Sequence, residues 1–240
     1  MGPTTDTVPA VNRPMGGPGT TQEYAVAWLR QAIIAGDLTP GRRVIQEDIA
    51  ERIGVSVAPV REALRVLEQE GQLTYRPRRG YFVTKLRVED LEEIYGLRQV
   101  LEERAARHAL PGLDDDALDR IALAAKDCVD AAETGEVAAE LAANRRFHFG
   151  ILESPEQPHA LRLIRLLWDS TEAYRALYYN SPAERRASVD AHDRILAAVR
   201  ARDADRLVAE LDAHRQRALD VLRELLARHA GDSREGTDAR

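Results

Sequence analysis

Apolar positions recur at helical spacing along most of the chain, with one short alternating stretch between residues 71 and 88. Thr20-x-x-Glu23 forms a capping box ahead of an apolar-periodic run that Gly36 stops, and Pro40-Gly41 then turns the chain. Residues 46–53 predict a short helix ending at Gly54, and residues 57–70 a second ending at Gly71. Two β-prone runs, 73–75 and 81–84, flank Arg76-Pro77-Arg78-Arg79-Gly80 and predict a hairpin. From Val88 onward the period is helical throughout, giving helices near 89–110, 114–134, 137–153, 158–179, 182–202 and 204–229. Pro111-Gly112 and Gly135 mark two breaks. Ser181-Pro182-x-Glu184 is a capping box with proline at the first helical position, and Asp203 is placed to cap the last helix. The expected fold is mainly α: a small N-terminal domain over 20–84, a linker at 85–88, and a bundle of about six helices over 89–229. Residues 1–19, rich in Gly, Pro and Thr, and the polar residues 230–240 read as disordered tails.

The length of 240 residues suits one or two domains. No apolar stretch approaches the ~18 residues of a membrane span, and the N-terminus lacks a signal-peptide core. Cys128 is the single cysteine, so no internal disulfide forms, and a cytoplasmic location with no membrane partner is expected. The net charge of −6 argues against a nucleic-acid partner until it is divided. Residues 21–86 carry ten Lys/Arg against eight Asp/Glu, whereas residues 87–240 carry twenty-three against thirty-one. Between Gly71 and Val88 there are five cations and no acid. Counterion release responds to the contact surface and not to the total, so the basic segment is free to bind phosphates.

The run IAERIGVSVAPVREALRVL over 49–67 places two short helices around Gly54-Val55-Ser56, the tight turn of a helix-turn-helix. Ile49, Ile53, Val55, Val60, Leu64 and Leu67 supply its small core. Arg61 and Arg65 then lie one turn apart on the outward face of the second helix, with Ser56 at its N-cap. A recognition helix contacts base edges with its first turns and phosphate with its N-terminus. The hairpin, with Arg78, Arg79 and Gly80, serves as the wing. Double-stranded DNA is the expected partner.

Three of the six histidines sit on apolar helix faces. His148 follows Leu141 and Asn144 and precedes Ile151; His192 precedes Ile195, Leu196 and Val199; His214 lies among Leu207, Leu211, Ala218 and Val221. His192 stands eleven residues before Asp203 and His214 eleven after it, so an antiparallel hairpin sets both ~16 Å from the turn. Asn144 and His148 form an i, i+4 pair and point the same way. Three imidazoles and one amide oxygen make a metal site with a position left open, or else a set of hydrogen-bonded core histidines; spacing leaves both readings open.

The run IIAGDLTPGRRV, then IAERIGVSVAPVREALRVLEQEGQL, then RPRRGYFV resembles the winged helix of GntR-type transcriptional regulators over residues 25–84. The resemblance implies a homodimeric regulator, expected to act as a repressor, on a two-fold palindromic operator. Arg61 and Gly80 match the family motif and are carried over as DNA-proximal. The family usually has Arg-Thr where this sequence has Val57-Ala58, which removes a DNA contact. The region 88–229 is similar to the FCD sensor domain of the FadR subgroup, on the runs NRRFH, AHDRIL and DAHRQRAL. That similarity implies a divalent metal, zinc foremost with nickel or manganese as alternatives, held by Asn144, His148, His192 and His214. Asn144 stands where the family commonly has Asp. It further implies a small organic-acid effector near the metal. The block YGLRQVLEERAA looks like the family's first sensor helix, where Arg98 is placed to meet an effector carboxylate or to pair with Glu102 four residues on. A metal-dependent enzyme with an accessory helix-turn-helix is the alternative, but no HExxH, nucleophile triad or glycine-rich phosphate loop supports it.

Overall fold

The computed structural model describes residues 19–235, with side chains as far as residue 227. The tail assigned to residues 1–19 therefore lies almost wholly outside the described residues, as does the end of the second. Ten α-helices and one small sheet make up the described chain.

The N-terminal domain begins with α1 (Thr21–Ile34), opened by the expected box: Thr20 N–H donates to Glu23 and Glu23 N–H to the Thr20 hydroxyl. Next come β1 (Arg43–Val44), α2 (Gln46–Ile53), α3 (Val57–Gln69), β2 (Leu73–Arg76) and β3 (Gly80–Val83). Gly54 ends α2 at φ 68°, a left-handed position that costs glycine little. Ile49, Ile53, Val60, Leu64 and Leu67 are buried in one cluster with Leu29 and Ile33 of α1, and Val55 packs at its edge. The sheet has three strands in the order β1-β3-β2, both pairings antiparallel. The two-residue β1 is too short to produce an alternating pattern; Arg43 and Val44 pair with Phe82 and Tyr81 only through the fold.

The C-terminal domain holds seven helices where the sequence pattern predicts about six. They are α4 (Val88–Ala109), α5 (Asp115–Thr134), α6 (Val137–Leu152), α7 (Pro158–Ser170), α8 (Glu172–Tyr179), α9 (Pro182–Arg200) and α10 (Ala204–Glu235). The helix expected over 158–179 breaks at Thr171, at φ −108° and ψ 5°. The Thr171 hydroxyl donates to the carbonyls of Leu167 and Trp168, the back-bonding that competes with the main-chain ladder and bends helices. The last helix continues six residues beyond 229. Asp203 accepts the Arg206 amide at 3.0 Å and so caps α10, closing the α9–α10 hairpin.

The break at Thr171 is where the two domains meet. Ala173 packs against the N-terminal core, and a Cβ on Gly71 would stand 3.1 Å from the Ser170 Cβ. The Tyr174 hydroxyl accepts the linker amide of Leu86 at 2.7 Å.

Candidate nucleic-acid interface and buried histidine site

α3 is amphipathic. Val60, Ala63, Leu64 and Leu67 are buried, while Ser56, Val57, Ala58, Arg61 and Arg65 are exposed. Ser56 occupies the N-cap, at φ −74° and ψ 161°, but its hydroxyl makes no capping bond. Arg65 pairs with Glu62 at 3.1 Å and Arg61 approaches the same carboxylate at 3.7 Å. Such exposed pairs are worth ~0–1 kcal/mol and yield readily to a phosphate.

Between α3 and the wing runs a groove of about 530 Å³, lined by Arg43, Gln46, Arg61, Arg65, Tyr75 and Gly80 among others. Motif reading did not single out Arg43, Gln46 or Tyr75. Arg43 reaches this groove because β1 lies beside β3, and its guanidinium covers Gly80. At the wing tip the Arg79 amide donates to the Arg76 carbonyl at 2.9 Å, closing a turn over Pro77 and Arg78. Arg78 stands at φ 63°, a position usually left to glycine or asparagine. No hydrogen bond or ion pair among the described residues engages its side chain.

In the C-terminal domain the three inward histidines meet. His148 on α6, His192 on α9 and His214 on α10 each offer a ring nitrogen, all within 4.8 Å of one another. His192 and His214 have ring centres 5.0 Å apart, the level expected from their equal distance to Asp203. Asn144 lies one turn before His148 and lines the same cavity. Both ring nitrogens of His148 and His192, Nδ1 of His214 and Oδ1 of Asn144 are buried with no hydrogen-bond partner. Burial, then the neighbouring imidazoles, holds His148 and His192 well below the usual histidine value. Burial, with Arg98 and Arg215 nearby, lowers His214 to about 4. All three rings are therefore neutral near pH 7, the state in which imidazole donates to a metal. Donor type and unpartnered nitrogens both fit a borderline divalent ion such as zinc or nickel.

One side of the cavity is cationic. Arg98 and Arg175 both stack over Trp168, their guanidinium carbons 4.4 and 4.3 Å from its ring centre. Arg98 also donates to Glu102 at 2.8 Å, so the i, i+4 pair forms while the same side chain lines the cavity. Glu102 further accepts from Trp168 Nε1 at 2.7 Å and from Arg215 at 2.9 Å. Burial alone would raise its carboxyl, but the guanidiniums of Arg98 and Arg215 outweigh that and hold it at about 2. Arg175 is different: it donates only to the Trp168 carbonyl, and its Nε and Nη1 are buried without a partner. A buried, half-unpaired guanidinium is costly unless an anion completes it. The sequence pattern missed Arg175, although seven residues from Trp168 keep it on the buried face of the helix, because helical phase does not say which partners a side chain meets. It missed Arg215 and Trp168 as well.

The cavity itself measures about 30 Å³. That holds an ion and a water or two but no multi-atom metabolite. Tyr95 and Arg215 separate it from an outer groove of about 450 Å³ between α4 and α10.

A winged helix-turn-helix with exposed arginines, joined to a helical domain around a polar cavity, defines a DNA-binding transcriptional regulator. The family model for bacterial regulatory proteins of the gntR family matches residues 21–83, and the model for the FCD domain matches residues 93–217. The chain belongs to the GntR family of transcriptional regulators and carries an FCD domain at its C-terminal end. It is 30% identical to the Nta operon transcriptional regulator of Aminobacter aminovorans, over 78% of this chain and 87% of that one. It is 29% identical to the HTH-type transcriptional regulator McbR of Escherichia coli, over 74% of this chain and 81% of that protein. The solved structure of McbR superposes with a TM-score of 0.76, covering 86% of this chain and 99% of the other. These relatives are regulators, and the enzyme alternative is set aside on that ground. Among the described residues no helix is long and apolar enough to cross a membrane.

Proposed function

We propose that the protein is a homodimeric repressor whose grip on a palindromic operator is set by a small organic acid bound beside a divalent metal. The observation that carries this reading is the set of buried donor atoms left without partners on Asn144, His148, His192 and His214, next to the half-unpaired Arg175. Zinc is the ion proposed, with nickel or manganese as alternatives. When bound, it would supply positive charge and an open position for a carboxylate oxygen. Arg175 holds the far end of the anion, and Arg98, fixed by Glu102 and stacked on the same indole, narrows the site.

On the DNA side, Arg61 and Arg65 enter the major groove from α3, with Ser56 at the helix N-terminus. Arg78, Arg79 and the Gly80 backbone touch the flanking strand from the wing. Two copies are needed to read a palindrome. α4 and α7 pack together through Trp168, Glu102 and Arg98; α4 exposes Leu97 and Val100 and α7 exposes Leu163 and Leu166, and the second copy is placed against these apolar side chains.

The small cavity supplies the coupling. An acid of several heavy atoms has to displace the lining, and Arg175 belongs to α8, whose neighbour Tyr174 holds the linker. A ligand shifts an equilibrium only by its differential affinity for the two states, and here the closed state has no room for it. The test is metal analysis of protein purified without chelator, alongside His192→Ala, followed by a thermal-shift screen of organic acids with and without metal. Stoichiometric metal in the parent and none in the variant is expected. No metal in either overturns the reading in favour of packed core histidines.

A further inference from the structure

We propose that the first turn of α3 reads thymine methyl groups through Val57 and Ala58. The proposal rests on the docking of α3 in the major groove. Val57 lies four residues before Arg61, and Ala58 lies three before Arg61 and seven before Arg65, so all four share the outward face. Beyond Ser56 that turn carries no acid and no polar side chain. Val57 stays 36% exposed while Val60, Leu64 and Leu67 are fully buried, so it takes no part in the core.

An exposed β-branched residue at the start of a helix gains nothing for the fold. It caps no amide, and its χ1 is restricted against the helix. Its value lies in what it faces. Every base edge in the major groove is polar except the C5-methyl of thymine. Setting valine against guanine O6 and N7, adenine N6 or cytosine N4 would strip water from those groups and return no hydrogen bond. Against thymine the same contact removes apolar area on both sides from water. Each half-site therefore carries a thymine about one or two base pairs from the base read by Arg61, the span of one α-helical turn, and the apolar pair tells it from cytosine by the methyl.

The experiment begins with the full-length protein selecting its operator from random duplexes. Each thymine of a half-site is then replaced by deoxyuridine, which removes the methyl and keeps the base pair. Binding is expected to weaken about three- to tenfold at one or two positions only, as fits loss of roughly one buried methyl. Val57→Ser should bind the thymine and uracil operators alike at the affected position, and 5-methylcytosine there should bind the parent more tightly than cytosine. Val57→Arg should shift the selected base from thymine to guanine. An operator that needs Arg61 but tolerates uracil at every position overturns the proposal alone. Selection that enriches no sequence overturns the docking of α3 and the proposal with it.

Discussion

Tyr174 and Arg175 are consecutive in α8 and serve different domains. The Tyr174 hydroxyl accepts the amide of Leu86 in the interdomain linker at 2.7 Å, while the Arg175 guanidinium stacks on Trp168 inside the histidine cavity. α8 spans only eight residues, is cut from α7 at Thr171 and buries Tyr174, Arg175, Ala176, Tyr178 and Tyr179, so a shift at the cavity lining reaches the linker through one packed, short element. Tyr174→Phe should leave operator affinity within about threefold and cut the response to the acid found in the thermal-shift screen. It should also cost about 1–2 kcal/mol, since the part-buried Leu86 amide loses its partner. Operator binding by fluorescence anisotropy, with and without the acid, checks it; an unchanged response would remove this bond from the coupling.

Arg78 presents a conflict between stability and function. Its φ of 63° suits glycine, and no hydrogen bond or ion pair among the described residues engages its side chain. Arg202 is also left-handed, at φ 55°, but its guanidinium ties down the carbonyls of Leu110 and Leu113. Strain at Arg78 is thus explained only by an outside partner, as backbone outliers at binding sites often are. Arg78→Gly should raise stability by up to about 1 kcal/mol. The same change should weaken operator binding and lower the salt dependence by about one counterion. Binding measured across a salt series decides; an unchanged slope would take the wing tip off the phosphate.

Arg61 is fully outside the core of α3, so its loss should spare the fold. Arg61→Ala is expected to reduce specific binding by about 1–3 kcal/mol per half-site, with an unchanged circular dichroism spectrum and Tm. Full affinity in a gel-shift titration would refute the docking of this helix.

Val100 is 67% exposed on α4 and Leu166 42% exposed on α7. A charge at either position is well solvated in a monomer but not at an interface between copies. Val100→Glu should leave monomer stability within about 0.5 kcal/mol, as surface changes do. It should shift the species seen in sedimentation from dimer to monomer. A dimer that persists in both Val100→Glu and Leu166→Glu would place the interface elsewhere.

The sequence made the local elements legible because they depend on local rules: the Thr20 box, Gly54, the Ser181-Pro182 start and the Asp203 cap all fall within four residues of what they control. The level of His192 and His214 could be counted because one tight turn relates two regular helices. Other features depend on contacts between distant segments. β1 exists only because β3 lies beside it. Thr171 ends α7 through its own hydroxyl, a choice that threonine in a helix makes or declines according to packing. Arg175, seven residues after Trp168, keeps the buried phase of α7, yet no spacing says that its guanidinium meets an indole and the histidine cavity. Arg215, 113 residues from Glu102, was equally out of reach of any periodic pattern.

Glu140 gives the protein a pH dependence separate from the histidine cavity. Its side chain is buried on α6; Oε2 makes no hydrogen bond, and Arg185 Nε stands 4.0 Å away. Burial pushes its carboxyl from 4.5 up to about 7, with Arg185 opposing only in part. The folded state thus binds this proton more tightly than the unfolded chain does. The resulting stability is present in full below pH 4.5 and is lost as pH rises from there to about 7, with no further change above. At about 1.4 kcal/mol per unit, the full loss comes to about 3.5 kcal/mol. Glu140→Gln keeps the shape and removes the ionisation. Near pH 5 the variant should exceed the parent in stability by less than about 1 kcal/mol, and at pH 8 by about 3 kcal/mol, the attraction of Arg185 being already contained in the shifted value. Urea unfolding at the two pH values measures this. A difference that stays constant between pH 5 and pH 8 would mean that Glu140 titrates as an ordinary carboxylate, ionised throughout against Arg185.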